Sequence, residues 1–170
     1  DAALDMAWVG SKVLLAEALS QAKAHGVTLT ASATHQAAGT GTRVSPEVTE
    51  AQVVGIATDT NLFLLPATGD LTPFAGAIRA QLPTGQVIVD GRNLPPPESW
   101  PNPGQPIATV SAIGAAVVSD PSITAAAIQA VDSVHPGLVW WTSGQTFSVI
   151  TPRNIAASVE SALHATLLES

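Results

Sequence analysis

Apolar positions recur along this chain with two different periods, and the switches between them mark out its elements. Leu4, Trp8, Leu15, Leu19 and Ala22 fall at near-helical spacing, which predicts an amphipathic helix over Asp1–His25 that stops at Gly26. Val27–Ala31 alternates with period two and is β-branched, so it reads as a strand. Ser45-Pro46 then has the form of a helix start, with a capping oxygen followed by a residue whose missing N–H is not needed. The stretch Gln52–Thr58 fits the end of that helix passing into a strand. Asn61–Pro66 and Gln86–Val89 are continuous apolar runs of strand length, as expected of strands covered on both faces. Between them Thr72-Pro73 opens a predicted helix carrying Phe74, Ile78 and Leu82.

The C-terminal half repeats the same devices. Ile107–Ser119 and Pro121–Val134 read as two Ala-rich helices separated by Asp120-Pro121, a cap and first residue. Leu138–Thr142 and Thr146–Ile150 are strand-like and flank Ser143-Gly144-Gln145, a hairpin turn. The second run meets Thr151-Pro152, from which Ile155, Val159, Ala162/Leu163 and Leu167 form one stripe of a final helix, Thr151–Ser170. Asn93–Pro106 interrupts the pattern: six of its fourteen residues are proline, which predicts an extended, exposed loop with Trp100 in its middle. The cap-plus-proline device occurs four times, at Ser45, Thr72, Asp120 and Thr151. No repeat period is sustained around it, so it reflects ordinary β-turn-α construction.

These elements predict one globular domain over residues 1–170, of α/β or α+β class. A single mixed sheet of about four to six strands would be covered by the N-terminal, Thr72-Pro73 and C-terminal amphipathic helices. A chain of this length buries enough surface to fold without staples, and it has no cysteine to supply them. Thiolate metal sites and thiol catalysis are thereby excluded, while a cytoplasmic or an exported setting both stay open. A first residue of Asp1 fits a processed product or an excised domain.

Charge narrows the function classes further. Only 11% of residues are charged and the net charge is −7, with the six Lys and Arg spread singly. A nucleic-acid partner needs clustered cations to displace phosphate counterions, so none is expected. No apolar run is long enough to insert into a membrane. A surface so poor in charge suits either a lineage rich in Ala, Thr, Gly and Pro or a face that contacts another protein or another domain of the parent chain.

Candidate chemistry is sparse. His25, His35, His135 and His164 lack metal-binding spacing, Glu47 and Glu50 fit a solvated helix turn, and no cofactor motif occurs. The loop Ala38–Arg43, with Gly39 and Gly41, could present backbone donors and Arg43 to a small anion. Ser143 lies a few residues from His135 and Asp132, but no nucleophile elbow surrounds it. The tryptophans are the stronger candidates. Trp140 and Trp141 must point to opposite faces of a strand, and Trp100 either pins its loop or is offered to a partner as part of a polyproline segment.

The charge-poor, cysteine-free composition and the run from Pro136-Gly137-Leu138 through Gln145-Thr146-Phe147 resemble uncharacterised conserved mycobacterial proteins, some associated with type VII secretion. The resemblance implies a non-enzymatic, envelope- or secretion-related role and transfers no site residues. The expected function is thus a non-catalytic interaction or structural module, binding through Trp100, Trp140, Trp141 or Arg43. A hydrolase with dispersed residues and an anion-binding role for Gly39–Arg43 are the alternatives.

Overall fold

A computed structural model describes residues 16–31, 42–44, 53–102 and 104–169. Helix α1 (Ala16–Ala24) precedes a small antiparallel pair, β1 (Leu29–Ala31) with β2 (Thr42–Val44). The main body then runs β3 (Gly55–Pro66), β4 (Ile78–Leu82), β5 (Gln86–Asp90), β6 (Gln105–Ile113), α2 (Ala115–Ser119), α3 (Pro121–Val134), β7 (Trp140–Ser143), β8 (Thr146–Pro152) and α4 (Ala156–Leu167). Its six strands form one sheet in the order β4-β5-β3-β6-β8-β7, antiparallel at every pairing. This is an α+β arrangement, with α2, α3 and α4 gathered on one face.

Alternation along the central strands builds that face. Ala108, Val110 and Ala112 of β6 and Phe147 and Val149 of β8 meet Val117 of α2, Ala127 and Val131 of α3, and Val159 and Leu163 of α4. The stripe expected on the last helix is therefore the buried one. Small alanines on both layers let the helices lie close to the strands. On the polar side of α4, Glu160 accepts a hydrogen bond from Thr58 of β3 at 2.8 Å.

Four elements differ from the sequence expectation. Ile107–Ser119 is mostly strand: its alanines favour a helix, but Ile107, Thr109, Val110 and Ile113 are β-branched and the strand is buried on both faces. Thr72-Pro73 opens only a 3₁₀ turn, Thr72–Phe74, and Ile78–Leu82 is strand β4. Phe74, Ile78 and Leu82 are four apart, a spacing that serves a helical and a two-residue period alike. Gln52–Thr58 and Asn61–Pro66 belong in large part to one strand, β3, whose polar Asp59-Thr60-Asn61 is a bulge rather than a break. Thr151-Pro152 ends β8, and α4 begins only after a further 3₁₀ turn at Arg153–Ile155. Asp120 does cap its helix as expected, accepting from the Ser122 amide at 2.8 Å. That bond and a second from the Ser122 hydroxyl hold the Asp120 carboxyl below its ordinary pKa. The Ser45-Pro46 start, Glu47, Glu50, His35, the glycines of the Ala38–Arg43 loop and the first turns of the Asp1–His25 helix lie outside the described residues.

The β7–β8 hairpin closes through Gly144-Gln145. Gly144 has φ +59°, the left-handed value that a two-residue loop of this kind requires at its first position. At Gly91 the demand is for space: a Cβ there would lie 2.6 Å from the Phe63 ring. Gly91→Ala is expected to cost about 1–3 kcal/mol, the usual penalty for overpacking, read as a lower midpoint in urea with an unchanged slope.

Candidate functional site

The proline-rich loop is largely exposed, as expected, but it is not extended throughout. It folds back through a 3₁₀ turn at Pro97–Ser99 and drives Trp100 inward to 8% exposure. The indole sits edge-on to Phe63 and Phe74, with centroids at 4.9 and 5.1 Å, and donates to the Pro95 carbonyl at 2.9 Å. Its one donor is thus used within the chain, and Trp100 pins the loop. Trp140 and Trp141 do point opposite ways. Trp140 stacks on Phe147 at 5.5 Å on the helix side and stays 43% exposed, next to Val139 at 45%. Arg43 lies in strand β2, paired with Thr30, rather than in a loop.

Trp141 leads to the site. The helix-free face of the sheet holds a cleft of about 460 Å³ to which both edge strands contribute: Ile78, Arg79 and Ala80 from β4, and Trp141 and Ser143 from β7. Strands at opposite ends of the sheet order can share a cleft only if the sheet curls into a trough. At one end Leu62, Ile88 and Ile107, with Ala80 and Trp141, form an apolar wall. Across the middle runs a polar row from three adjacent strands: Asp59, then Thr109 and Ser111, then Ser148 and Thr146.

The row's residues are buried, and its spare hydrogen-bonding capacity opens onto the cleft, since no fully buried side-chain polar atom lacks a partner among the described residues. Ser111 and Ser148 are cross-strand partners with hydroxyls 2.8 Å apart at 1% and 3% exposure. Whichever donates, the other hydroxyl keeps a hydrogen without an acceptor among the described residues. Thr109, at 7% exposure, makes no side-chain hydrogen bond among them. Thr146 donates to the Ser143 carbonyl at 2.7 Å. Buried hydroxyls facing open volume hold water or a ligand, because an unmade hydrogen bond is costly away from solvent.

Two β-bulges place the charges. The β3–β6 register slips between Asp59 and Leu62, and the β4–β5 register slips at Arg79. Bulges re-aim side chains, and here they bring Asp59 and Arg79 into the same cleft. A chain of ion pairs joins them. Arg79 binds Oδ2 of Asp90 through Nε at 3.2 Å and through Nη2. Arg92 binds Oδ1 of Asp90 through Nε at 3.0 Å and reaches Asp59 through Nη2. Burial raises the Asp90 pKa, but the Arg92 amide and the two guanidiniums outweigh it and leave the carboxyl below its ordinary value.

The hydrolase expectation required Ser, His and Asp in one cleft. Ser143 lines the trough, but His135 ends α3, where Nδ1 lies 3.1 Å from the Pro136 carbonyl, and Asp132 is exposed on α3. His164 pairs with Glu169 at 3.1 Å. Among the described residues no cluster of three metal-ligating side chains occurs, and no helix is long and apolar enough to cross a membrane. Asp59, Arg79, Thr109, Ser111 and Ser148 were not legible as site residues. The one signal available was the hydroxyl at alternate positions of two apolar strands, Thr109-x-Ser111 and Thr146-x-Ser148.

No protein-family model matches the chain, and no curated protein does. Solved structures do share its fold. Aspartate kinase from Clostridium acetobutylicum, described as an allosteric enzyme, superposes with a TM-score of 0.72 at 15% identity, over 98% of this chain and 47% of that one. E. coli aspartokinase III superposes with a TM-score of 0.70 at 16% identity in its R-state complex with aspartate and ADP, over 97% of this chain and 45% of that one. Its T-state complex with lysine and aspartate gives 0.68 at 15%, over 98% and 44%. The chain therefore spans less than half the length of these enzymes. Such likeness speaks to the fold, and the site must be argued from its own residues.

Proposed function

We propose that this domain is a non-catalytic, ligand-binding regulatory module that seats a small polar molecule in the trough and works beside another domain or protein. The observation that carries the reading is the buried row of unspent hydroxyls, Thr109 and Ser111–Ser148, between an apolar wall and a charged bulge pair. A few fixed polar groups in a mostly apolar concavity are what a small-molecule site requires. The fold's occurrence in allosteric enzymes solved with small ligands supports the regulatory part. For the cellular setting, the reading keeps the envelope- or secretion-associated role that the sequence resemblance implies.

The test is a thermal-shift screen against hydroxy acids, amino acids, sugars and polyols, since a ligand that binds only the folded state raises the midpoint. In Thr109→Val the hydroxyl is exchanged for a methyl of similar size. Ligand affinity should fall about threefold to tenfold, equivalent to one hydrogen bond of about 0.5–1.5 kcal/mol, while the ligand-free midpoint stays near wild type. A second reading rests on the exposed pair Val139 and Trp140, which suits a protein-contact surface. A screen without shifts, with self-association abolished by Trp140→Ser, would favour that reading.

A further inference from the structure

Resting on the reading of the trough as a ligand site, we infer that its ligand is a small monocarboxylate, held through Arg79, and that it needs no ammonium group. Both carboxylates of the bulge network are committed. Asp90 receives Arg79 on one oxygen and the Arg92 amide and Nε on the other. Asp59 receives the Asn61 amide at 3.0 Å on Oδ1 and Arg92 on Oδ2. Arg79 is not committed to the same degree. Its Nε and one Nη2 hydrogen go to Asp90, which leaves both Nη1 hydrogens and one on Nη2 without an acceptor among the described residues. Its side chain lines the cleft at 38% exposure.

Arg79 can only donate, whereas the hydroxyls of Thr109 and of the Ser111–Ser148 pair can donate or accept. A ligand that matches the guanidinium must bring acceptors. A carboxylate brings two oxygens in the plane that a guanidinium fork addresses. Asp90 and Arg92 fix that fork in advance, because Asp90 clamps Arg79 from behind and Arg92 supplies the counter-charge to both acids. Leu62, Ile88 and Trp141 then offer the ligand's body an apolar wall. An ammonium would look to Asp59, whose charge is already balanced by Arg92.

The experiment uses three probes of one shape: 4-methylpentanoate, its neutral amide 4-methylpentanamide, and leucine. Each is titrated into the millimolar range, with backbone amide shifts of Arg79, Thr109 and Ser148 and Trp fluorescence as readouts. The acid should shift these amides and bind at least about tenfold more tightly than the amide, and leucine should bind no more tightly than the acid. Arg79→Gln should erase the difference between acid and amide while keeping the circular dichroism spectrum of the folded domain, with the thermal midpoint lowered only by the loss of its contact with Asp90. Equal binding of acid and amide would overturn the carboxylate assignment and leave the trough a ligand site. Leucine binding about tenfold more tightly than the acid would show that an ammonium is recognised and overturn that part. Silence from all three probes, with a neutral sugar or polyol active in the wider screen, would remove the carboxylate alone. Silence in both would remove the ligand site as well.

Discussion

Phe147→Ala is expected to destabilise the domain by about 3–5 kcal/mol, the range for emptying an aromatic position in a packed core, and to lower the thermal midpoint by on the order of 10 °C. Phe147 is fully buried near the start of β8, in the cluster that joins β6 and β8 to α2, α3 and α4. Removing its ring leaves a void bounded by two layers of regular structure, neither of which can collapse without breaking its own hydrogen bonds. It also strips Trp140 of its stacking partner, so the emission of that tryptophan should shift to the red in the folded variant. Phe147→Leu keeps most of the volume and should recover more than half of the loss. A loss below about 1 kcal/mol in Phe147→Ala would mean that the helices are not anchored at this point.

The sequence exposed the parts of the fold whose signals are local. The Trp140–Ile150 hairpin was legible because its turn and both alternating runs are contiguous, and α3 because Asp120-Pro121 carries its own cap. Elements failed where one pattern fits two periods, as with Phe74, Ile78 and Leu82, or where burial overrides propensity, as in the alanine-bearing strand β6. The trough was not legible at all. It exists because strands distant in sequence, β4 and β7, curl toward each other at opposite ends of one sheet. Its charges arrive through bulges, which sequence displays only as a polar interruption at Asp59-Thr60-Asn61. Trp100 shows a different limit. Composition left a pinned loop and a segment offered to a partner equally open, and the contacts of Trp100 with Phe63, Phe74 and the Pro95 carbonyl make it a pin.

Asp90→Asn is expected to have the second large effect, because this single carboxylate ties together four elements of the site. It is anchored on β5, holds Arg79 at the β4 bulge, and holds Arg92, which in turn reaches Asp59 at the β3 bulge. Loss of the charge weakens two charge-assisted contacts at once and should cost about 2–3 kcal/mol. The pH dependence distinguishes this from a general packing defect. Burial raises the Asp90 pKa, but the Arg92 amide, Arg79 and the charge of Arg92 bring the folded-state value below the ordinary 3.8. A carboxyl depressed in the folded state contributes stability that is fully present above its unfolded pKa and is lost as pH falls through the folded one. Wild type and Asp90→Asn should therefore differ most near neutrality and converge as the pH drops below the ordinary carboxylate value. Asp70 and Asp120, also held below their ordinary values by Thr72 and Ser122, titrate with the same sign in both proteins and cancel in the comparison. A stability difference that stays constant from neutral pH into acid would show that Asp90 acts through its shape and not through its charge, and the bulges would then need another explanation for their common aim.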